Sequence, residues 1–293
     1  MYNLLKEGRE VMKLLFLSVL LVMIIFYMYK AYQNTKDVAV KKMNIAFGIE
    51  RSPVLRVLHL SDLHLENISI SPEELYQKVK EERYDLIALT GDFLDRKWTI
   101  PKLIPYLHVL NILNPKYGIF AVLGNHDYVL KGENLHALVD TLEQFHCRVL
   151  RNEHVEVLVD GRRVNIIGID DYSTKRSDLE TSYRGVKPGY NLVLTHDPNI
   201  VLQMKQYHFD YLLAGHFHGG QICYPKAYHL IKMGKLVRMN MIKGLQMYDN
   251  KPFYISEGLG QTGVNIRIGS RPEITIHECT LTNETSIPNY SAV

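Results

Sequence analysis

The chain has 293 residues, 46% hydrophobic and 22% charged, an ordinary globular composition long enough for one large α/β domain or two smaller ones. A formal net charge of +3 is too mild to argue for nucleic acid as the partner. Cys147, Cys223 and Cys279 are odd in number and far apart, so they form neither a disulfide framework nor a zinc-knuckle spacing. They read as small buried hydrophobes.

Residues 1–30 stand apart. Leu14 to Tyr29 runs without a charge and is closed by Lys13 and Lys30. At about 1.5 Å per residue it covers roughly 24 Å, short of a ~30 Å hydrocarbon core, but flanking lysines and the belt of Tyr27, Tyr29 and Tyr32 make a span reasonable. Three readings compete: a retained membrane anchor, a cleaved signal peptide and a buried core helix. No small-residue cleavage site follows, and a helix apolar on every side has no obvious partner, so the anchor is favoured. Lysines and arginines flank both ends, so the positive-inside rule decides nothing. The segment's position mildly favours a signal-anchor in the cell membrane, with the remaining chain on the outer side.

Residues 31–50 read as a linker or an edge strand, with partial alternation from Asp37 to Phe47. From 51 to about 283 one domain is expected, followed by a tail at 284–293. Within it, apolar runs (Leu55–Leu60, Leu86–Thr90, Gly118–Leu123, Val164–Ile169, Leu192–Thr195, Tyr211–Ala214) alternate with polar stretches. Ser71-Pro72-Glu73-Glu74 combines an N-cap, a proline at N1 and a capping-box glutamate, opening a helix to Lys80. Pro198 opens a second toward Tyr207. Strands alternating with helices predict a layered α/β domain. Phe253–Ile255, Val264–Ile268 and Ile274–Cys279 read as strands of a more β-rich second half.

The informative pattern is how the runs end. Leu55–Leu60 ends in Asp62 and His64, Leu86–Thr90 in Asp92 and Asp95, and Gly118–Leu123 in Asn125, His126 and Asp127. Leu192–Thr195 ends in His196 and Tyr211–Ala214 in His216 and His218. Each fragment alone is weak, because a lone histidine at a strand end is more often structural. Five strands ending in metal-binding groups, at the place where α/β sites assemble, are a different matter.

The fragments DLH (62–64), GDFLD (91–95), GNHD (124–127), His196 and GHFH (215–218) resemble the calcineurin-like metallophosphoesterases in identity and order, over about 51–280. GHFHGGQ with Pro225, SEGLG (256–260), Arg267 and PEI (272–274) look like the small, N-terminally membrane-associated bacterial subgroup, similar to phosphodiesterases and UDP-2,3-diacylglucosamine hydrolases. Phe217 stands where many relatives carry a small or hydroxyl residue, and its side chain should point away from its histidine neighbours. The resemblance implies a four-layer α/β/β/α sandwich, preceded here by one transmembrane helix.

It also implies two divalent ions, Mn, Fe, Zn or Co, in keeping with imidazole, carboxylate and amide ligands without thiolate. Asp62, His64, Asp92 and His218 would hold one; Asp92, Asn125, His196 and His216 the other, with Asp92 bridging. Alternation along a strand would bring Asp62 and His64 to one face, and likewise His216 and His218. Two divalent ions less Asp62, Asp92 and a bridging hydroxide leave about +1, a charge that attracts a phosphoester and favours metal-bound hydroxide attack near neutrality. His126 reads as the acid that protonates the leaving oxygen or as a transition-state donor, oriented by Asp127. Asp95 orients a neighbour, ligates weakly or lies at the surface. The remaining histidines read as surface or satisfied groups. Glycines 91, 124, 215, 219 and 220 mark sharp turns or close approach of phosphate.

From Gly219 to Tyr248 there are five basic residues and no acid, interleaved with apolar ones. Lys232, Lys235 and Arg238 are candidates to grip an amphiphilic phosphate or anionic lipid, against the plainer reading of a solvated loop. The function expected is a membrane-anchored hydrolase of a phosphodiester or pyrophosphate bond, on a lipid-linked or nucleotide-lipid substrate such as UDP-2,3-diacylglucosamine. The alternatives are a general phosphatase or phosphodiesterase of soluble substrates, and a catalytically silent binding module of the same fold.

Overall fold

The computed structural model describes residues 2–45, 52–224 and 226–281. Phe47, Pro225, the domain limits at 51 and 283 and the tail at 284–293 lie outside the described residues.

The first element, α1 (Tyr2–Gln33), is one continuous helix. Its large apolar side chains from Val11 to Tyr29 all face outward. Among the described residues it is the one helix long and apolar enough to cross a membrane. The chain then enters an edge strand, β1 (Ala39–Ile45).

Two six-stranded sheets follow. The first has the order β1-β12-β2-β3-β4-β5, built from β2 (Val54–Leu60), β3 (Leu86–Thr90), β4 (Ile119–Val122), β5 (Cys147–Val149) and β12 (Glu273–Thr280). The second has the order β10-β11-β9-β8-β7-β6, built from β6 (Glu153–Val159), β7 (Arg162–Gly168), β8 (Tyr190–Leu194), β9 (Tyr211–Ala214), β10 (Gly244–Tyr248) and β11 (Lys251–Ile255). Because side chains alternate across a strand, each sheet buries both faces. Leu55, Val57, Leu86, Ala88, Phe120 and Val122 meet Ile166, Leu192, Leu194, Tyr211 and Leu213 between the sheets. Leu58, Leu60, Ile87 and Leu89 point outward under α2 (Pro72–Val79), α3 (Ile100–Ile112) and α4 (Glu133–Gln144). Ile167, Val193, Leu212 and Ala214 point to the opposite outer layer, formed by short helical turns, α5 (Leu179–Tyr183) and α6 (Lys235–Arg238). The result is the expected four-layer α/β/β/α sandwich.

The capping box at Ser71 is present, with Glu74 N–H donating to Ser71 Oγ at 3.1 Å and Ser71 N–H to Glu74 Oε2 at 2.8 Å. Two expectations fail. Pro198 opens only a 3-10 turn, Pro198–Gln203. Asn199 spends its backbone N–H and its amide on Asp197 and Met233, and β-branched Ile200 and Val201 disfavour extension. Val264–Ile268 is a loop, with only Ile268 bridged to Ile222. Gly263 and Gly269 bound it with φ of +63° and +71°, and Arg267 turns inward where a strand would alternate. The cysteines are free, Cys147 and Cys279 buried and Cys223 half-buried.

Candidate metal centre

Five strands of the two sheets end on one edge of the sandwich, where their following loops carry the polar groups singled out in sequence. Alternation along a strand is not what brings them together. Asp62, His64, His216 and His218 all lie past the strand ends with positive φ (49°, 35°, 75° and 49°), as does Asp92 (55°). This region costs a non-glycine residue of order 1–3 kcal/mol, and its concentration at one place marks a functional site. The loops pack without slack. A Cβ at Gly215 would meet Ser61 Oγ and Asp62 Oδ2, and one at Gly124 would meet the Asp92 carboxylate.

Two clusters result. Asp62, His64 and His218 bring ligand atoms within 4.8 Å of one another, and Asp92, His196 and His216 do the same; every one of these side chains is buried. Asp92 Oδ2 faces both, 3.5 Å from His64 Nε2 and 3.1 Å from His196 Nε2. Within the clusters, His218 Nε2 is 3.4 Å from Asp62 Oδ1, and His216 Nδ1 is 3.1 Å from His196 Nε2.

The histidines are fixed from behind. Nδ1–H of His196 donates to the Thr90 carbonyl at 2.7 Å, and Nδ1–H of His218 to that of Gly260 at 3.2 Å. His64 Nδ1 is 3.2 Å from Asp95 Oδ1. With Nδ1 committed, each ring turns Nε2 inward, the arrangement in which imidazoles bind metal. His64 Nε2 and Asn125 Oδ1 are buried with no hydrogen-bond partner, an expense that a cation would relieve. The donor set, the orphaned atoms and the strained backbone therefore fit divalent ions.

Burial raises the cost of charge on Asp92, yet His196 and His64 outweigh it and hold the carboxylate well below its usual range. Burial opposes a proton on His64, but the carboxylates of Asp92 and Asp95 beside it win and lift the ring to about 10. Burial pushes His218 down to about 3 against the pull of Asp62. The pocket is a field that attracts positive charge.

Asp127 is placed differently from its expected role. Its carboxylate accepts backbone N–H groups of Asp92, Phe93 and Gly124 at 2.9, 2.8 and 2.9 Å, locking two strand-end loops together. The partner of His126 is Asp95, whose Oδ1 lies 2.7 Å from Nδ1. Sequence adjacency favoured Asp127, but the turn after Asn125 sends neighbouring side chains in different directions.

Asp92, Asn125, His126, His216 and His218 form one wall of a cavity of about 230 Å³. Ile222, His229, Leu230, Met233 and Val264 form the facing wall. Lys232, Lys235 and Arg238 do not line it; Arg238 borders a neighbouring cavity of about 190 Å³ with Lys226. Gly219 and Gly220 make room for Glu257 and for Ala227 and Cys223, not for a ligand. Phe217 is fully buried in the outer core, its ring 5.4 Å from that of His216.

Sequence reasoning passed over Asp170 and Asp171 at the end of β7. Tyr128 hydroxyl donates to Asp170 at 2.6 Å, bracing the turn that carries His126. The signal was available, since Val164–Ile169 is the sixth strand and also ends in carboxylates.

The calcineurin-like phosphoesterase family model matches residues 55–220. The chain belongs to the calcineurin-like phosphoesterases. It is 61% identical over 264 residues to metallophosphoesterase YkoQ of Bacillus subtilis, covering 89% of this chain and 98% of that one. UDP-2,3-diacylglucosamine pyrophosphatase LpxG of Chlamydia trachomatis is 27% identical, covering 77% and 83% of the two chains. Phosphodiesterase YaeI of Escherichia coli is 26% identical, covering 80% and 85%. Like its relatives, this calcineurin-like phosphoesterase is a hydrolase, and its His/Asp clusters are suited to divalent metal.

Proposed function

We propose that the protein is a membrane-anchored, dinuclear phosphoesterase that hydrolyses a phosphodiester or pyrophosphate bond in a lipid-linked or nucleotide-lipid substrate of the UDP-2,3-diacylglucosamine kind. The observation that carries the metal assignment is Asp92, one carboxylate oxygen facing His64 on one side and His196 on the other. Asp62, His64, Asp92 and His218 would hold one ion, and Asp92, Asn125, His196 and His216 the other. Mn, Fe, Zn and Co suit this donor set. When bound, such ions activate water and neutralise phosphate charge.

The chain's own residues do the rest. Burial opposes a second proton on His126, but the Asp95 carboxylate at Nδ1 favours it, so in the imidazolium form Nε2–H is the donor available to the cavity. As the water oxygen forms its bond to phosphorus, the ester oxygen departs with the proton from Nε2, and Asp95 steadies the ring through the transfer. Asp127 keeps the Asp92 and Asn125 loops in register. The apolar facing wall of Ile222, Leu230 and Val264 supports an amphiphilic substrate, as does the likeness to LpxG. Burial of α1 in a membrane accounts for its unpaired apolar surface.

Metal analysis of the full chain, with hydrolysis of bis(p-nitrophenyl) phosphate and of UDP-2,3-diacylglucosamine, tests the reading. Bound divalent metal and turnover abolished in Asp92→Asn are expected. An absence of turnover with Mn²⁺ on every ester would sink it, and turnover of the soluble ester alone would replace the lipid substrate with a soluble one.

A further inference from the structure

The end of α1 does not leave the domain on a free tether. Arg267 N–H donates to the Ala31 carbonyl at 2.9 Å, and the Asn34 amide donates to the Arg267 carbonyl at 2.9 Å. Arg271 pairs with Asp37 at 2.6 Å. The fully buried Arg267 guanidinium turns the other way and donates to the carbonyls of His218, Glu257, Gly258 and Gly260, at 3.2, 2.7, 3.1 and 2.8 Å. One residue thus holds the helix end with its backbone and the His218 loop with its side chain.

The apolar run ends at Tyr29, two residues before the clasped Ala31. At 1.5 Å per residue, the hydrocarbon boundary lies about 3 Å along the axis from the clasp. Side chains surrounding the clasp therefore sit at headgroup depth. Val264, three residues before Arg267, is 59% exposed and also lines the metal cavity. Tyr224 is 78% exposed, and the preceding Cys223 N–H donates to the Ile268 carbonyl at 2.6 Å. Beyond Tyr224, Lys226, Lys232, Lys235 and Arg238 are exposed and have no acidic partner among the described residues. Exposed Ile231 precedes Lys232 and exposed Met239 follows Arg238.

We propose that this face, from Val264 and Tyr224 through the basic segment, lies on an anionic lipid bilayer, so that the metal cavity opens into the headgroup layer. The proposal rests on the membrane-anchored reading above and deepens it: the phosphoester is drawn from the membrane surface, not from bulk water. Two features favour a lipid partner over a protein one. The face is continuous with the apolar helix, and it combines unpaired cations with apolar side chains in the manner of interfacial segments.

The test uses the full chain with Cys223→Ser, which leaves only the buried Cys147 and Cys279, and adds one accessible cysteine by Tyr224→Cys, Val264→Cys or Leu158→Cys. Leu158 is an equally exposed control on β6, at the far edge of the second sheet. Each cysteine is labelled with a polarity-sensitive fluorophore, and the protein is reconstituted into phosphatidylcholine/phosphatidylglycerol vesicles. Doxyl-labelled lipid is expected to quench the labels at 224 and 264 several-fold more than the label at 158, with aqueous iodide showing the reverse. Labels at 224 and 264 as open to iodide as that at 158, and untouched by doxyl lipid, would overturn the proposal. Quenching is expected to weaken in phosphatidylcholine alone, and equal quenching in both vesicles would overturn the anionic assignment. No turnover is read, so failure here leaves hydrolysis of soluble esters standing, and the reverse also holds.

Discussion

The two walls of the metal cavity are built on opposite principles. The strand-end wall is buried and its loops cross-linked by Asp127, with ligand residues held at positive φ. The facing wall, Ile222, His229, Leu230, Met233 and Val264, comes from short turns and loops, with exposed cations next to it in sequence but outside the cavity. Groups that must meet a metal are fixed before anything binds, at a cost in backbone strain. Groups that meet the remainder of the substrate are left adaptable.

That contrast can be broken most sharply at Asp92. Asp92→Asn is expected to lower kcat by about a thousandfold or more with loss of bound metal, measured by nitrophenyl ester turnover and metal analysis. Next comes the division of labour between two aspartates. Asp95→Asn should lower kcat about a hundredfold with little change in melting, because it touches the His126 ring. Asp127→Asn should instead destabilise the fold by about 2 kcal/mol or more, because a carboxylate serving four backbone donors is lost. Equal behaviour of the two would remove the distinction.

A smaller effect probes the rigid side. His59 and His277 are fully buried between the sheets, and burial pushes His59 down to about 3 and His277 well below its ordinary value. Both must bind protons on unfolding in acid, so their stability is complete above about pH 6.5 and is lost as pH falls toward the folded values. Urea unfolding should lose about 2 kcal/mol per histidine between pH 7 and 5. A His59→Gln, His277→Gln variant should flatten that slope. On the adaptable side, reversing Lys232, Lys235 and Arg238 to glutamate should raise KM for vesicle-borne substrate roughly tenfold, about 1.4 kcal/mol. An unchanged KM would return the segment to a plain solvated loop.

The site was legible because its residue types recur at strand ends, which is a pattern in one dimension. Asp62, His64, Asp92, Asn125, His126, His196, His216 and His218 could all be named that way. What escaped was direction. Asp127 adjoins His126 in GNHD while Asp95 ends GDFLD 31 positions earlier, and only the turn decides which carboxylate reaches the ring. The i, i+2 spacing of the histidines suggested a strand face, while the left-handed φ at His216 and His218 does the positioning. The long apolar helix was legible from composition, but its clasp by Arg267 depends on residues 233 to 236 positions apart and leaves no local trace. The α3 and α4 helices were missed because Pro105 and weak caps obscure their starts.

One feature of the first sheet bears on how the protein is made. β12, near the end of the chain, lies between β1 and β2, pairing Glu273–Cys279 in parallel with Ala39–Ile45 and Thr275–Thr280 antiparallel with His59–Val54. Until the ribosome has delivered residue 280, the sheet is two separate pieces with open edges. Such long-range pairing is slow and is completed late. By then β1 has long been made, so the sheet closes only when two distant parts of the chain are brought together. Among the described residues, the last strand joins the edge strand that follows α1 to the rest of the sheet.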